Sequence, residues 1–143
     1  TLGTMDGANI EIFERAGKEN NYTFGATVEE LESISNTYNP VRIYESDPEI
    51  MRVVDSISNG LFKDSSGMLS DLKNSLLIDT YNRADCYYTL YDFKNFLETR
   101  LKLNKDCMDK ELMAKKCLIN SAAADIFSSD NAVKTYADLI WNL

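Results

Sequence analysis

TLGTMDGANIEIFERAGKENNYTFG, residues 1–25, reads as strand, helix, strand. Residues 2–5 form a short apolar run, and Asp6 follows as the expected N-cap, since a carboxylate there accepts the free N–H groups of a first helical turn. Ala8, Ile12 and Ala16 fall on one helical face, widened by Ile10 and Phe13, while Glu11, Glu14 and Arg15 lie towards the other. Gly17 is the expected stop, because positive φ costs glycine little. Residues 21–25 read as the next strand, with Tyr22 and Phe24 on one side. Such a unit is the elementary piece of a parallel α/β sheet, whose crossover helix covers one sheet face.

Two strands and several helices do not make a buried parallel sheet on their own. The chain opens inside its first strand without an initiator methionine, so the expectation is a piece of a longer polypeptide that holds the neighbouring strands.

The 143 residues fit one domain, and 44% apolar content agrees with a folded piece. A formal charge of −8 opposes a nucleic-acid surface, which needs clustered Lys and Arg. No apolar run has transmembrane length and no signal-peptide pattern opens the chain, so no membrane association is expected. Cys86, Cys107 and Cys117 lack metal-ligand spacing, and with no histidine present they read as reduced, partly buried thiols of a cytoplasmic protein. Asn21-Tyr22-Thr23 matches a glycosylation triplet but falls in an expected core strand.

Beyond Gly25 the pattern is helical. Thr27 and Glu30 form a capping box ahead of Val28, Leu31 and Ile34. Asn39-Pro40 closes that helix, and residues 41–44 read as extended or loop. Asp47-Pro48 opens a helix with Ile50, Met51, Val53, Val54 and Ile57 inward, stopped by Gly60, with Leu61 and Phe62 folding back. Residues 63–67 are a polar loop. Residues 68–79 give another helix through Leu69, Leu72, Leu76 and Leu77. Asp92 is the expected cap of a helix carrying Phe93, Phe96, Leu97 and Leu101, and residues 102–109 read as irregular. Residues 110–124 place Leu112, Met113, Leu118, Ile119 and Ala122 inward. Ser128-Ser129-Asp130 caps a last helix whose inner face is Val133, Tyr136, Ala137, Ile140 and Trp141. The organisation is βαβ followed by about six helices.

Candidate chemistry is sparse. Without histidine there is no Ser-His-Asp or Cys-His arrangement and no imidazole base. Glu29-Glu30 and Asp109 with Glu111 are better read as solvated helix faces than as paired catalytic acids. Lys115-Lys116 is a weak phosphate candidate. Tyr81, Tyr87, Tyr88 and Tyr91 could face sugar rings, although seating neighbouring helices is the stronger reading. The turn Met5-Asp6-Gly7-Ala8-Asn9 carries most weight, because it follows the carboxyl end of a strand, where doubly wound sheets place ligands. It lacks a Gly-x-Gly-x-x-Gly pattern and a phosphate-loop Lys, so shaping a nearby site outweighs direct contact.

Gly3-Thr4-Met5-Asp6-Gly7-Ala8-Asn9-Ile10-Glu11, Ala16-Gly17-Lys18-Glu19-Asn20, Phe24-Gly25, Asn59-Gly60-Leu61-Phe62, Tyr91-Asp92-Phe93, Phe127-Ser128-Ser129-Asp130 and the run Tyr136 to Trp141 carry a resemblance. In that order they resemble the C-terminal portion of α-glucan phosphorylases, the glycogen and starch phosphorylases. The resemblance implies part of the C-terminal Rossmann-like domain of a two-domain, glycosyltransferase-type (GT-B) fold. Residues 1–45 would close the catalytic-domain sheet region, and residues 46–143 would be the helical C-terminal region with its crossover and terminal helices. It also implies phosphorolysis of terminal α-1,4-linked glucose to glucose 1-phosphate, with pyridoxal 5′-phosphate on a lysine upstream of Thr1, and a homodimeric cytoplasmic parent.

By the same resemblance Asp6, Gly7, Ala8, Asn9 and Glu11 match a strand-to-helix turn, and Ser128, Ser129 and Asp130 match an architectural block before the last helix. No residue of the chain is expected to be catalytic, to bind the cofactor or to hold a metal. Asn131 stands where the family usually has a basic residue, and Asn142-Leu143 replaces its usual glycine. The competing readings are a free-standing helical interaction module and a nucleotide-sugar transferase of related architecture.

Overall fold

The computed structural model describes residues 1–63, 66–79 and 83–142. Tyr81, Leu143 and part of the 63–67 loop fall outside the described residues. The chain is mixed α/β: β1 (Leu2–Gly3), α1 (Ala8–Ala16), a 3₁₀ turn (Lys18–Asn20) and β2 (Tyr22–Thr23) precede a helical remainder. That remainder is α2 (Val28–Ile34), α3 (Pro40–Ser46), α4 (Pro48–Ser58), α5 (Met68–Leu77), α6 (Thr89–Asp106), α7 (Lys110–Ala122) and α8 (Ser129–Tyr136). Among the described residues the sheet has two strands, paired in parallel with Leu2 opposite Tyr22 and Gly3 opposite Thr23.

Spatially the chain forms two compact units, one of residues 1–24 and 98 onward, the other of residues 25–97. In the first, α1 buries Phe13 and Ala16, and β2 buries Tyr22. The burial stripe is narrower than expected: Ala8 and Ile10 face solvent, so the side that is covered is Ile12, Phe13 and Ala16. Gly17 ends α1 at φ 84°, and its N–H donates to the Phe13 carbonyl. The N-terminus of α1 differs from expectation. Gly7, at φ 49°, is the N-cap residue, and the Asp6 carboxylate accepts a hydrogen bond from Thr4 instead of from the first helical turn.

The unit of residues 25–97 centres on Ile50, Val54 and Leu90, with Ile43, Tyr44, Leu76, Leu77 and Phe93 packed against them. Each such buried side chain contributes about 1.5–3 kcal/mol relative to exposure. Three helix starts follow local rules. Thr27 and Glu30 form both bonds of the capping box. Asn39 accepts from the Arg42 amide with Pro40 in the first turn, so residues 41–44 are helical, not extended. Asp47 accepts from the Glu49 and Ile50 amides.

Other expectations are corrected. Leu61 and Phe62 remain 69% and 55% exposed and do not fold back after Gly60. Helix α6 starts at Thr89, because Asp85 accepts the Thr89 and Leu90 N–H groups, so Asp92 lies inside the first turn and instead accepts from the Ala26 amide. It also runs on through residues 102–106, where Leu103 and Asp106 are half-buried one turn apart and Asp106 accepts from the Tyr22 hydroxyl. Leu118 and Ala122 of α7 are exposed. All three cysteines are free and exposed, not partly buried.

Candidate functional site

The strand-to-helix turn is held together by its own polar groups. Asn9 donates from Nδ2 to the Thr4 carbonyl at 2.9 Å, and Thr4 donates from Oγ1 to Asp6 Oδ1 at 2.9 Å. The Asn9 and Ile10 amides close the turn onto the Asp6 and Gly7 carbonyls. At Gly3 a Cβ would stand 2.5 Å from Asn9 Nδ2, so a side chain there would push Asn9 out of its present position. At Gly7 a Cβ would meet nothing within 4 Å, so the glycine serves the backbone angle and leaves open space beside the turn. The first amides of a helix have no intrahelical partners, and two of those of α1, Asn9 and Ile10, are already engaged within the turn. Glu11 is exposed in the first turn. The arrangement is a hydrogen-bonded, glycine-bearing turn without a nucleophile–base pair.

The other sequence candidates are occupied structurally. Glu30 belongs to the capping box, and its neighbour Glu29 has its carboxyl held below the usual range by a bond to its own backbone amide. Asp109 caps α7 through the Leu112 amide, with Glu111 in the first turn. Lys116 lies over the Tyr22 ring, 4.9 Å from its centroid, and donates to the Glu19 carbonyl. Burial, then the bond to Asp106, pushes the Tyr22 hydroxyl up to about 12. Asn21 is 6% exposed and donates to the Gly17 carbonyl, which removes it as a glycosylation acceptor in the folded chain.

Ser128 caps α8 through the Asn131 amide, and Asn131 in turn donates from Nδ2 to the Ile126 carbonyl at 3.2 Å. Beyond this cap, Val133, Tyr136, Ile140 and Trp141 are 49–63% exposed, so the expected inner face is uncovered. Tyr136 and Trp141 meet edge to face, with centroids 6.3 Å apart.

Sequence reasoning missed a second polar centre, built around Asp85. This residue is 4% exposed at φ 46° and receives the Tyr38 hydroxyl at 2.5 Å as well as two amides of α6. Burial, then that bond, holds the Tyr38 hydroxyl far above its ordinary range. Arg83 lies over both Tyr38 and Tyr88, and Tyr91 meets Tyr38 edge on. Tyr88 and Tyr91 therefore seat this cluster, whereas Tyr87 is 86% exposed. The available signal was an acidic residue just ahead of the Leu90, Phe93, Leu97 periodicity. Among the described residues no group of three or more His, Cys, Asp or Glu could hold a metal ion, and no helix is long and apolar enough to cross a membrane.

A parallel strand pair bridged by a helix, a glycine-bearing turn at the strand end and a long helical remainder define a mixed α/β protein. The family model for carbohydrate phosphorylases matches residues 1–143, and the chain belongs to that family. It is 32% identical to a glycogen phosphorylase of Chlamydia pneumoniae over 143 residues, all of this chain and 17% of the relative. It is 33% identical over 145 residues to that of Bacillus subtilis, covering 18% of it, and to the human liver form, covering 16%. The chain thus spans about a sixth of the length of these relatives.

Proposed function

We propose that this chain is the C-terminal part of an α-glucan phosphorylase that cleaves terminal α-1,4-linked glucose with inorganic phosphate to give glucose 1-phosphate. The observation that carries this reading is the family match over the whole chain, joined to relatives about six times as long. In this reading residues 1–45 close the Rossmann-like sheet region of a GT-B fold, and residues 46–143 form the helical C-terminal region. The parallel β1–β2 pair and its crossover helix support that placement. The parent enzyme would be cytoplasmic and homodimeric, acting on glycogen or starch.

Pyridoxal 5′-phosphate would be the parent's cofactor, supplying a phosphate group that exchanges a proton with substrate phosphate. The turn does not fit it. The lysine nearest in sequence, Lys18, stands beyond the far end of α1, about 14 Å along the helix by the rise per residue. Asp6 adds a negative charge beside the turn. No step through the cofactor is therefore assigned to this chain, and no residue of it is assigned a catalytic, cofactor or metal role. Its contribution is to hold the turn formed by Gly3, Asp6, Gly7 and Asn9 in one geometry, which matters because catalysis depends on positioning.

A second reading, a stand-alone helical interaction module, is favoured by the uncovered apolar face of α8. The two separate in one assay. The isolated chain with pyridoxal phosphate, an α-1,4-glucan and inorganic phosphate should release no glucose 1-phosphate, while the full polypeptide that carries it should. Turnover by the isolated chain would overturn its non-catalytic assignment, and an inactive full polypeptide would overturn the enzyme reading.

A further inference from the structure

Within the unit of residues 25–97, a cleft of about 520 Å³ opens beside the Tyr38–Arg83 cluster. Its polar lining includes Ser35, Asn36, Asn39, Asp79 and Arg83, with Pro40, Val41 and Leu77 as an apolar wall. We propose that this cleft binds a short neutral oligosaccharide, at a site separate from the strand-to-helix turn.

The size and the charge of the cleft carry the proposal. Small-molecule sites run from about 300 to 1,000 Å³, and the cleft falls inside that range. Arg83 and Asp79 are its charged lining residues, one positive and one negative, so their formal charges cancel. A phosphate ester or carboxylate would meet the Asp79 carboxylate, and a cation would meet the Arg83 guanidinium. A sugar hydroxyl both donates and accepts, which suits a wall where the Arg83 guanidinium and the Asn36 amide stand with the Asp79 carboxylate, one oxygen of which already accepts from the Ala84 amide. The C–H faces of a pyranose ring suit the apolar wall.

Arg83 is also prepared for this role. Its guanidinium carbon is 5.3 Å from the Tyr38 ring centroid and 5.4 Å from that of Tyr88. Cation–π contact with two rings holds a side chain that otherwise loses much rotamer freedom on binding. Tyr38 is itself held by Asp85, which also fixes the start of α6. Since Arg83 already lies over the Tyr38 ring, the sugar is recognised by hydrogen bonds and the Pro40–Val41–Leu77 wall, not by stacking on that tyrosine.

The test is a titration of the ¹⁵N-labelled chain with maltotriose, followed by amide shifts. Saturable shifts confined to residues 35–41, 77–79 and 83–84, with a dissociation constant of about 1 mM, are expected for a few exposed hydrogen bonds. Arg83→Ala should weaken binding about tenfold. Asn36→Ala, an exposed substitution that leaves the tyrosine cluster intact, should weaken it about threefold while the thermal unfolding midpoint stays unchanged. Absence of saturable shifts at these residues, wild-type affinity in both variants, or displacement of maltotriose by inorganic phosphate would each overturn the proposal.

Discussion

The two units use their apolar residues differently. In residues 25–97, Ile50, Val54 and Leu90 come from two helices and are buried among five further apolar side chains, so the unit closes a core of its own. In the other unit Phe13, Ala16 and Tyr22 are buried, but Leu139, Ile140 and Trp141 are 56–75% exposed within a few residues of one another. Isolated exposed apolar residues are ordinary; a contiguous set on the last turns of a chain is a surface that gains from being covered. The unit of residues 25–97 closes an interior of its own although Leu61 and Phe62 stay exposed, and the other ends in a contiguous apolar set that would gain from being covered.

Substitutions can break that contrast. Leu90→Ala should cost about 2–5 kcal/mol in urea unfolding, since the side chain is 4% exposed in the closed core. Leu139→Ala, at 75% exposure, should change stability by no more than about 0.5 kcal/mol. Equal losses at the two sites would mean that the exposed face is packed in solution.

Asp85→Ala should be next in size. It leaves the Tyr38 hydroxyl and two α6 amides without their acceptor, at a cost of about 2–4 kcal/mol. Asp85→Asn should lose less, because asparagine tolerates positive φ and keeps one acceptor oxygen. The same measurement of urea midpoints checks both, and an alanine variant as stable as the parent would remove Asp85 from the framework.

The pH limbs sharpen the comparison further. Tyr22, in the unit of residues 1–24 and 98 onward, has its hydroxyl pushed up to about 12 by burial and then by Asp106. An acid with a raised folded pKa binds its proton more tightly in the folded state. Its stabilisation is therefore full below about pH 10 and lost as pH rises towards 12. Tyr22→Phe should flatten that part of the alkaline limb, and an unchanged limb would contradict the assignment. In the other unit Asp47 has its carboxyl lowered first by its bond to Lys94, so its contribution is present at neutral pH and lost as pH falls through the folded pKa. Asp47→Ala should flatten the acid limb in the same unfolding series.

What the sequence made legible was what short-range chemistry decides. Thr27 with Glu30, Asp47 with Pro48, Ser128 and Gly17 each act within four residues, and each does in the structure what its position implied. The start of α6 was not legible in the same way, because Asp85 competes with Asp92 and the outcome rests on a tyrosine 47 residues away. Likewise Asp6 was a reasonable cap until Thr4 and the positive φ of Gly7 took over the turn. The strand-to-helix turn itself was readable, whereas the Asn9–Thr4 bond that ties it together was not. Leu118 was expected inward from periodicity, and Leu61 and Phe62 were expected to fold back after Gly60; neither signal shows whether a covering surface is present.

The most direct measurement of the central claim is complementation. The full polypeptide is divided ahead of residue 1, and the two pieces are assayed for glucose 1-phosphate release separately and together, with the 143-residue piece supplied as wild type or Trp141→Ala. The account predicts no activity in either piece alone, activity on mixing, and weaker saturation with Trp141→Ala because the exposed tryptophan anchors docking. Activity in the upstream piece without this chain, or identical saturation by the two versions, would contradict it.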